Sequence, residues 1–124
     1  MMNGFGLIFR PDGTAHGELY KFTAPVTLDF LREAVGGDIE LVPGFDRIGG
    51  RACHAFCNEH GKLEHPEHTE QMVFNLRATL LWEEALAARG DPRVGLRDIH
   101  GDWIDWLVGP VLVLYGDDEF MAEL

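Results

Sequence analysis

The run Val111-Leu112-Val113-Leu114-Tyr115 is apolar at five consecutive positions. A strand with one face in water alternates apolar and polar residues, whereas a strand covered on both faces is apolar throughout. Pro110 cannot donate a hydrogen bond to a sheet, so it indicates the first residues of a strand, an edge or a bulge. We therefore predict a covered central strand near the end of the chain, against which the other elements pack.

Two helices are predicted from their capping residues. Thr27 precedes a helix over residues 28–35, which Gly36-Gly37 ends. Asn75 caps a second helix from residue 76 to about residue 89, and Gly90-Asp91-Pro92 stops it. The apolar face of this second helix is predicted at Leu76, Leu80, Leu81, Ala85 and Ala88, with Trp82 and Leu86 beside it.

The remaining strands are predicted from β-suited runs bounded by turn residues. Residues 5–10 and 17–22 are expected to form a hairpin across Pro11-Asp12-Gly13-Thr14. Residues 39–42 and 49–57 are two further strands, and a turn follows at residues 58–61. The chain of 124 residues, 46% of them hydrophobic, has no internal repeat or linker. These features predict one α+β domain over residues 1–124, with a mixed or antiparallel sheet of about five or six strands and two helices packed on it.

The charge excludes one broad class of function. Formal net charge is −11, and the stretch from residue 98 to residue 124 carries seven acids and no Lys or Arg. A phosphate backbone is repelled by such a surface, so direct nucleic-acid binding is not expected. Two alternatives stay open: an acidic protein that imitates nucleic acid, and an acidic surface that only maintains solubility.

Features that the sequence lacks limit the cellular compartment and the catalytic chemistry that we expect. No apolar run reaches about 18 residues, and the start lacks the pattern of a secretory signal, so we expect a cytoplasmic protein without membrane contact. Its two cysteines are then expected to be free thiols. The sequence contains no serine, which excludes a serine-based triad.

Good transition-metal ligands are concentrated between residues 53 and 68. They are Cys53, Cys57, His60, His65 and His68. On one continuous strand the two cysteines are about 13 Å apart, at roughly 3.4 Å per residue, which is too far for a single ion. Cys57 or His60 with His65 and His68 is therefore the predicted metal set, with zinc as the ion, and the alternative is a histidine-rich surface loop.

Two other groups are candidate ligand sites. Asn75, Arg77 and Thr79 stand at a helix start, where backbone N–H groups and an arginine can hold an anion; the alternative is a cap beside a solvent-facing arginine. Trp103 and Trp106 stand among Asp102 and Asp105, an arrangement that suits a cationic or planar ligand. Here the alternative is a solvated loop whose tryptophans anchor in the core or in a dimer interface.

Two weaker possibilities complete the set of candidate sites. Cys57 is a conceivable nucleophile with His60 as its base, although a core-facing cysteine is commonly inert. Phe120 and Met121 form an apolar strip beside acids that suits a protein partner, and the alternative is an ordinary fraying tail.

Five short motifs, in order, resemble a known family. They are Arg10-Pro11-Asp12-Gly13-Thr14, residues 31–43, Asn58-Glu59-His60-Gly61-Lys62-Leu63, Asn75-Leu76-Arg77-Ala78-Thr79 and Val108-Gly109-Pro110-Val111-Leu112-Val113. Together they resemble the small uncharacterised family catalogued as domain of unknown function 3846. The resemblance implies an origin in actinobacteria, phages or mobile elements, and it implies no activity. It also suggests that Asn58, Asn75, Arg77 and Thr79 are shared positions. The connection that holds His65 and His68 is longer here than in the family, so these residues inherit no role.

The function expected from the sequence is that of a non-enzymatic binding protein, whose target is a protein partner or a small ligand in a phage or mobile-element setting. An inhibitor of a basic, nucleic-acid-handling protein is one specific version. The alternative is a metal-binding module or small enzyme that uses the loop from His60 to His68. A third class is a self-associating protein with Trp103, Trp106 and the 111–115 strand at its interface.

Overall fold

The predicted central strand lies in the middle of a five-stranded antiparallel sheet. A computed structural model of the chain describes residues 2–11, 18–60, 73–90 and 95–124. The strands are β1 (Gly4–Phe9), β2 (Glu18–Phe22), β3 (Ile39–Leu41), β4 (Arg47–Ile48), β5 (Arg51–Ala52), β6 (His54–Asn58) and β7 (Val111–Gly116). The helices are α1 (Leu28–Val35), α2 (Leu76–Ala88) and α3 (Asp118–Ala122).

The order of strands in the main sheet is β2-β1-β7-β6-β3, and β4 and β5 form a separate two-stranded ribbon. β1 pairs with β2 as the predicted hairpin and with β7 on its other side. β6 pairs with β7 and with the short edge strand β3. The α+β fold class is therefore confirmed, and every strand pairing in the sheet is antiparallel.

Two hydrophobic clusters cover the two faces of β7. Because side chains alternate along a strand, Val111 and Val113 enter one cluster while Leu112 and Leu114 enter the other. The first cluster packs against α2 through Ala78, Trp82, Ala85 and Leu86. The second packs against α1 and α3 through Ala34, Val35 and Phe120. This arrangement explains why the strand is apolar at every position.

Both predicted helix caps are confirmed. The Oγ1 of Thr27 accepts from the backbone N–H of Phe30 at 3.1 Å, and Gly36 ends α1 with a φ of 79°. The Oδ1 of Asn75 accepts from the backbone N–H of Ala78 at 3.0 Å and begins α2. Local sequence thus determines where both helices begin.

The predicted apolar face of α2 was right at Ala85 and at the flanking Trp82 and Leu86, but wrong at Leu76, Leu80 and Ala88. Leu76 and Leu80 are exposed, whereas Ala78, Thr79, Trp82, Ala85 and Leu86 are buried. The reason lies outside the helix, because Asn75 and Thr79 bond to backbone groups of distant segments. These bonds turn α2 so that its small residues, with Trp82 and Leu86, face the sheet.

The C-terminal segment also differs from its prediction. Asp117 caps α3 by accepting from the backbone N–H of Phe120 at 2.9 Å. The Phe120 side chain is fully buried and stacks on Phe22, with ring centroids 5.9 Å apart. The prediction of an exposed apolar strip for a protein partner was therefore wrong at Phe120. The alternative prediction, that this segment is a fraying tail, was also wrong. Burial of Val111, Leu112, Val113 and Leu114 likewise places β7 inside the domain rather than at a self-association interface.

The strand predicted over residues 49–57 is divided in two. Cys53 interrupts it between β5 and β6, and the backbone N–H of Cys53 donates to the Asp46 carbonyl at 3.0 Å. Among the described residues, no helix has the length and apolar character needed to cross a bilayer.

Candidate ligand-binding pocket

A pocket of about 270 Å³ opens between the β3 edge of the sheet, α2 and the segment before β7. Its lining comes from β3 and the residues after it, from the end of β6, from one position of α2 and from residues 105–108. The lining residues are Glu40, Val42, Pro43, Cys57, Asn58, Glu59, Trp82, Asp105, Leu107 and Val108.

Hydrogen bonds hold these segments together around the pocket. Glu40 lies opposite Cys57 in the antiparallel pairing of β3 with β6, and the Val42 N–H continues that contact by donating to the Ala55 carbonyl at 2.8 Å. The indole Nε1 of Trp82 donates to the Pro43 carbonyl at 2.9 Å, which joins α2 to the segment after β3. The pocket is consequently bounded partly by strands and α2, and the segment after β3 is tied to them by these hydrogen bonds.

The pocket is apolar inside and acidic at its opening. Val42, Trp82, Leu107 and Val108 are buried, while the residues that bear carboxylates, among them Glu40 and Glu59, are more exposed. With Asp105, the part of the lining that the structure describes holds three carboxylates and no Lys or Arg. Carboxylates around a partly aromatic pocket attract a cation, and the apolar walls suit the hydrocarbon stem that carries it.

A second cavity of about 270 Å³ lies over the opposite face of the sheet. It is lined by Ile8, Arg10, Tyr20, Phe30, Glu33 and Ala34. Arg10 forms an ion pair with Glu18 at 2.6 Å, and the Tyr20 hydroxyl donates to the same carboxylate at 2.8 Å. Charges of both signs in and around this cavity offset each other, so the acidic pocket is the stronger candidate for a charged ligand.

The structure gives Asn75 and Thr79 structural roles. The Asn75 amide donates to the Phe9 and Gly109 carbonyls, each at 2.8 Å, and its backbone N–H donates to the Leu107 carbonyl at 2.9 Å. The Thr79 hydroxyl donates to the Asn75 carbonyl and accepts from the Leu107 N–H. Both side chains are fully buried and do not face solvent. Of the three residues predicted to hold an anion, Arg77 is the one that is exposed.

Asn58 is the predicted ligand residue that does line the pocket. Its Oδ1 accepts from the His60 N–H at 2.8 Å and its Nδ2 donates to the Val35 carbonyl at 3.3 Å. The turn predicted here is confirmed at Glu59 and His60, and Gly61 lies outside the described residues. Asn58 therefore ties the end of β6 to the end of α1.

Trp103 contacts a cation from its own chain. The Arg97 guanidinium lies 3.8 Å from the centroid of the Trp103 ring and pairs with Glu83 at 2.8 Å. The Arg97 guanidinium thus covers one face of the Trp103 ring, which was predicted to contact a ligand. Trp106 is exposed, and its backbone N–H donates to Oδ1 of Asp105 at 2.8 Å. Asp105 lines the acidic pocket, whereas Trp103 belongs to the separate cluster with Arg97 and Glu83.

The two cysteines have different surroundings. Cys53 is buried, its thiol donates to the Phe45 carbonyl at 3.7 Å, and burial together with nearby Asp46 raises its pKa to about 12. Cys57 is half-buried in the pocket lining. A thiol is reactive only as its thiolate, so Cys53 is chemically inert at neutral pH.

This difference predicts selective alkylation. At pH 8 a thiol of pKa about 12 is ionised in roughly one molecule in ten thousand. Iodoacetamide is therefore expected to modify Cys57 at least about 100-fold faster than Cys53 in the folded protein, as read by peptide mass spectrometry. In 8 M urea both cysteines should react at similar rates. Equal rates in the folded state would contradict the burial of Cys53.

The structure describes only some of the residues that were predicted to bind a metal ion. His65 and His68 lie outside the described residues. His60 is exposed, and its Nε2 lies 3.6 Å from Oδ2 of Asp38. Among the described residues, His60 converges with Asp38 and Glu59 rather than with Cys57.

Sequence reasoning missed Glu40 and Trp82 as pocket residues. Glu40 reaches the pocket only through the register of β3 against β6, and Trp82 only through the orientation of α2. The alternation of Glu40 within a short strand was the available signal, but a lone exposed glutamate is common on strand edges.

Comparison with known proteins finds no matching family model, no matching curated protein and no matching solved structure. The resemblance to the uncharacterised family therefore stays a prediction.

Proposed function

We propose that this chain is a non-enzymatic binding protein that holds a cationic group of a protein partner in the acidic pocket. The observation that carries the proposal is the presence of Glu40, Glu59 and Asp105 beside apolar walls in one pocket, with no basic residue among the described residues that line it. A cation entering the pocket gains attraction from three carboxylates, at least two of which are solvated enough to move toward it.

The size of the pocket favours a single side chain as the occupant. A volume of about 270 Å³ lies just below the range of typical ligand pockets, which span about 300–1,000 Å³. A nucleotide exceeds this space, whereas an arginine side chain fits it. Arginine is favoured over lysine because its planar guanidinium binds carboxylates in a bidentate manner and packs against aromatic rings such as Trp82.

The charge of the whole molecule supports the same kind of partner. A formal net charge of −11 steers a basic surface toward the chain over long range, and the pocket then selects one residue of that surface. A basic, nucleic-acid-handling protein in a phage or mobile-element setting is the partner class we propose.

Peptide binding tests the proposal. An arginine-rich peptide is titrated into the protein by calorimetry, together with a peptide of the same sequence in which citrulline, a neutral isostere, replaces arginine. We expect binding of the arginine peptide, weakened about tenfold or more (about 1.4 kcal/mol) by Glu40→Gln with Asp105→Asn, because both substitutions remove pocket charge.

A matched control separates the pocket from net charge. Glu119→Gln with Glu123→Gln also removes two negative charges, but from α3 and its cap, on the opposite face of the sheet. This control is expected to change affinity by less than about threefold, because exposed distant charges are screened. Equal weakening by both pairs, or equal binding of the citrulline peptide, would overturn the proposal.

A further inference from the structure

Three metal-ligating side chains converge where α1 ends and β6 ends. Asp38, Glu59 and His60 each present one ligand atom, and these atoms all lie within 4.8 Å of one another. His60 Nε2 lies 3.6 Å from Asp38 Oδ2. Asp38 is 21 positions before Glu59 in sequence, so the fold rather than the local chain brings them together.

Backbone contacts hold the convergence in place. The Glu59 N–H donates to the Asp38 carbonyl at 2.8 Å, next to the paired residues Ile39 and Asn58. Gly37 permits the close approach, because a Cβ there would come within 2.9 Å of the Asn58 amide nitrogen. The three ligand-bearing residues are therefore attached to a fixed backbone while their exposed side chains remain able to rotate.

We propose that Asp38, Glu59 and His60 form a binding site for a divalent transition-metal ion, with Zn²⁺ as the best fit. One imidazole and two carboxylates are ligands that zinc accepts, and three protein ligands leave the fourth tetrahedral position open to water or an external ligand. Zn–N and Zn–O bonds of about 2.0–2.2 Å place ligand atoms roughly 3.4 Å apart. Because the ligand atoms all lie within 4.8 Å of one another, reaching this spacing requires movements of only about 1 Å.

Arg32 sets the expected strength of the site. Its Nε lies 4.0 Å from Oδ1 of Asp38, so a bound metal ion has to compete with this guanidinium for the carboxylate. Modest affinity follows, and removal of Arg32 is expected to increase it.

Zinc titration of tag-free protein tests the site. Binding of ZnCl₂ is measured by competition with a chromophoric chelator, and the coordination geometry is read from the absorption of the Co²⁺ form. We expect one ion per chain, with affinity reduced about tenfold or more by Asp38→Asn and by His60→Ala, and increased about threefold by Arg32→Gln. His100→Ala removes another exposed histidine and should leave the affinity unchanged.

A double variant, His65→Ala with His68→Ala, distinguishes this site from the loop predicted from sequence. Retained binding in the double variant, together with loss in His60→Ala, supports the site. Loss confined to the double variant, or unchanged binding in Asp38→Asn, overturns it. Glu59 lines the acidic pocket and is also a ligand of the proposed metal site, so the variants are placed at residues that belong to one site alone. Asp38 and His60 do not line the pocket, and Glu40 and Asp105 are not proposed metal ligands, so failure of either proposal is seen separately.

Discussion

Replacing Asn75 with alanine is expected to lower the free energy of unfolding by about 3–5 kcal/mol. The substitution removes the cap of α2, which is worth about 0.5–2 kcal/mol. It also leaves the carbonyls of Phe9 and Gly109 without the donor that Asn75 supplies, in a fully buried site, at about 1–3 kcal/mol each. Against a typical domain stability of about 5–15 kcal/mol, this loss is large.

Urea denaturation at fixed pH measures the effect, and Thr27→Ala is its matched control. Thr27 caps α1 but is exposed, and among the described residues its side chain makes the capping bond alone, so loss of this side chain is expected to cost about 1 kcal/mol. Asn75→Asp keeps the capping oxygen but loses both amide donors and buries a carboxylate, so it should be as harmful as alanine. An Asn75→Ala effect no larger than that of Thr27→Ala would show that the buried bonds contribute nothing.

Replacing Phe120 with alanine is expected to cost about 3–5 kcal/mol. The ring is fully buried between α3 and the sheet and stacks on Phe22. Gly4 lies so close to it that a Cβ on Gly4 would overlap the ring, which shows that β1 is shaped around this side chain. Removal of the ring leaves a cavity bordered by sheet backbone, which has little freedom to collapse.

Leu124→Ala is the control for Phe120, because Leu124 lies in the same C-terminal segment but is exposed. It should change stability by less than about 0.5 kcal/mol. Thermal unfolding followed by circular dichroism compares the two. Similar melting temperatures for both variants would mean that α3 frays from the sheet and that Phe120 is not part of the core.

Local patterns were sufficient for much of the fold. Val111 to Tyr115 could be assigned to a covered strand because burial on both faces requires apolar residues at every position. Thr27 and Asn75 could be assigned as caps because capping is a bond between near neighbours. Helix α3 was missed because its five residues are too few for a periodic pattern, and its stability comes from the packing of Phe120.

The candidate site depended on contacts that sequence patterns do not carry. Asn75 and Thr79 were predicted to form a ligand site because the local sequence of a helix start is the same whether that start is exposed or buried. Both residues are buried because they bond to the backbone of the distant Phe9, Gly109 and Leu107. The sequence analysis placed a ligand site at Trp103 and Trp106 beside acids, whereas the pocket lining combines its acids with Trp82, and Trp103 packs under Arg97. Which tryptophan meets which carboxylate is decided by helix orientation and strand register.

Nuclear magnetic resonance of the ¹⁵N-labelled protein, titrated with the arginine-rich peptide, tests the binding proposal most directly. The proposal predicts saturable shifts centred on the Trp82 indole N–H and on the backbone amides of Asn58, Glu59 and Leu107, all of which belong to residues that line the pocket. The indole signal of Trp103, which does not line the pocket, serves as an internal reference. Shifts spread over the acidic surface without saturation, or no shift at Trp82, would contradict it.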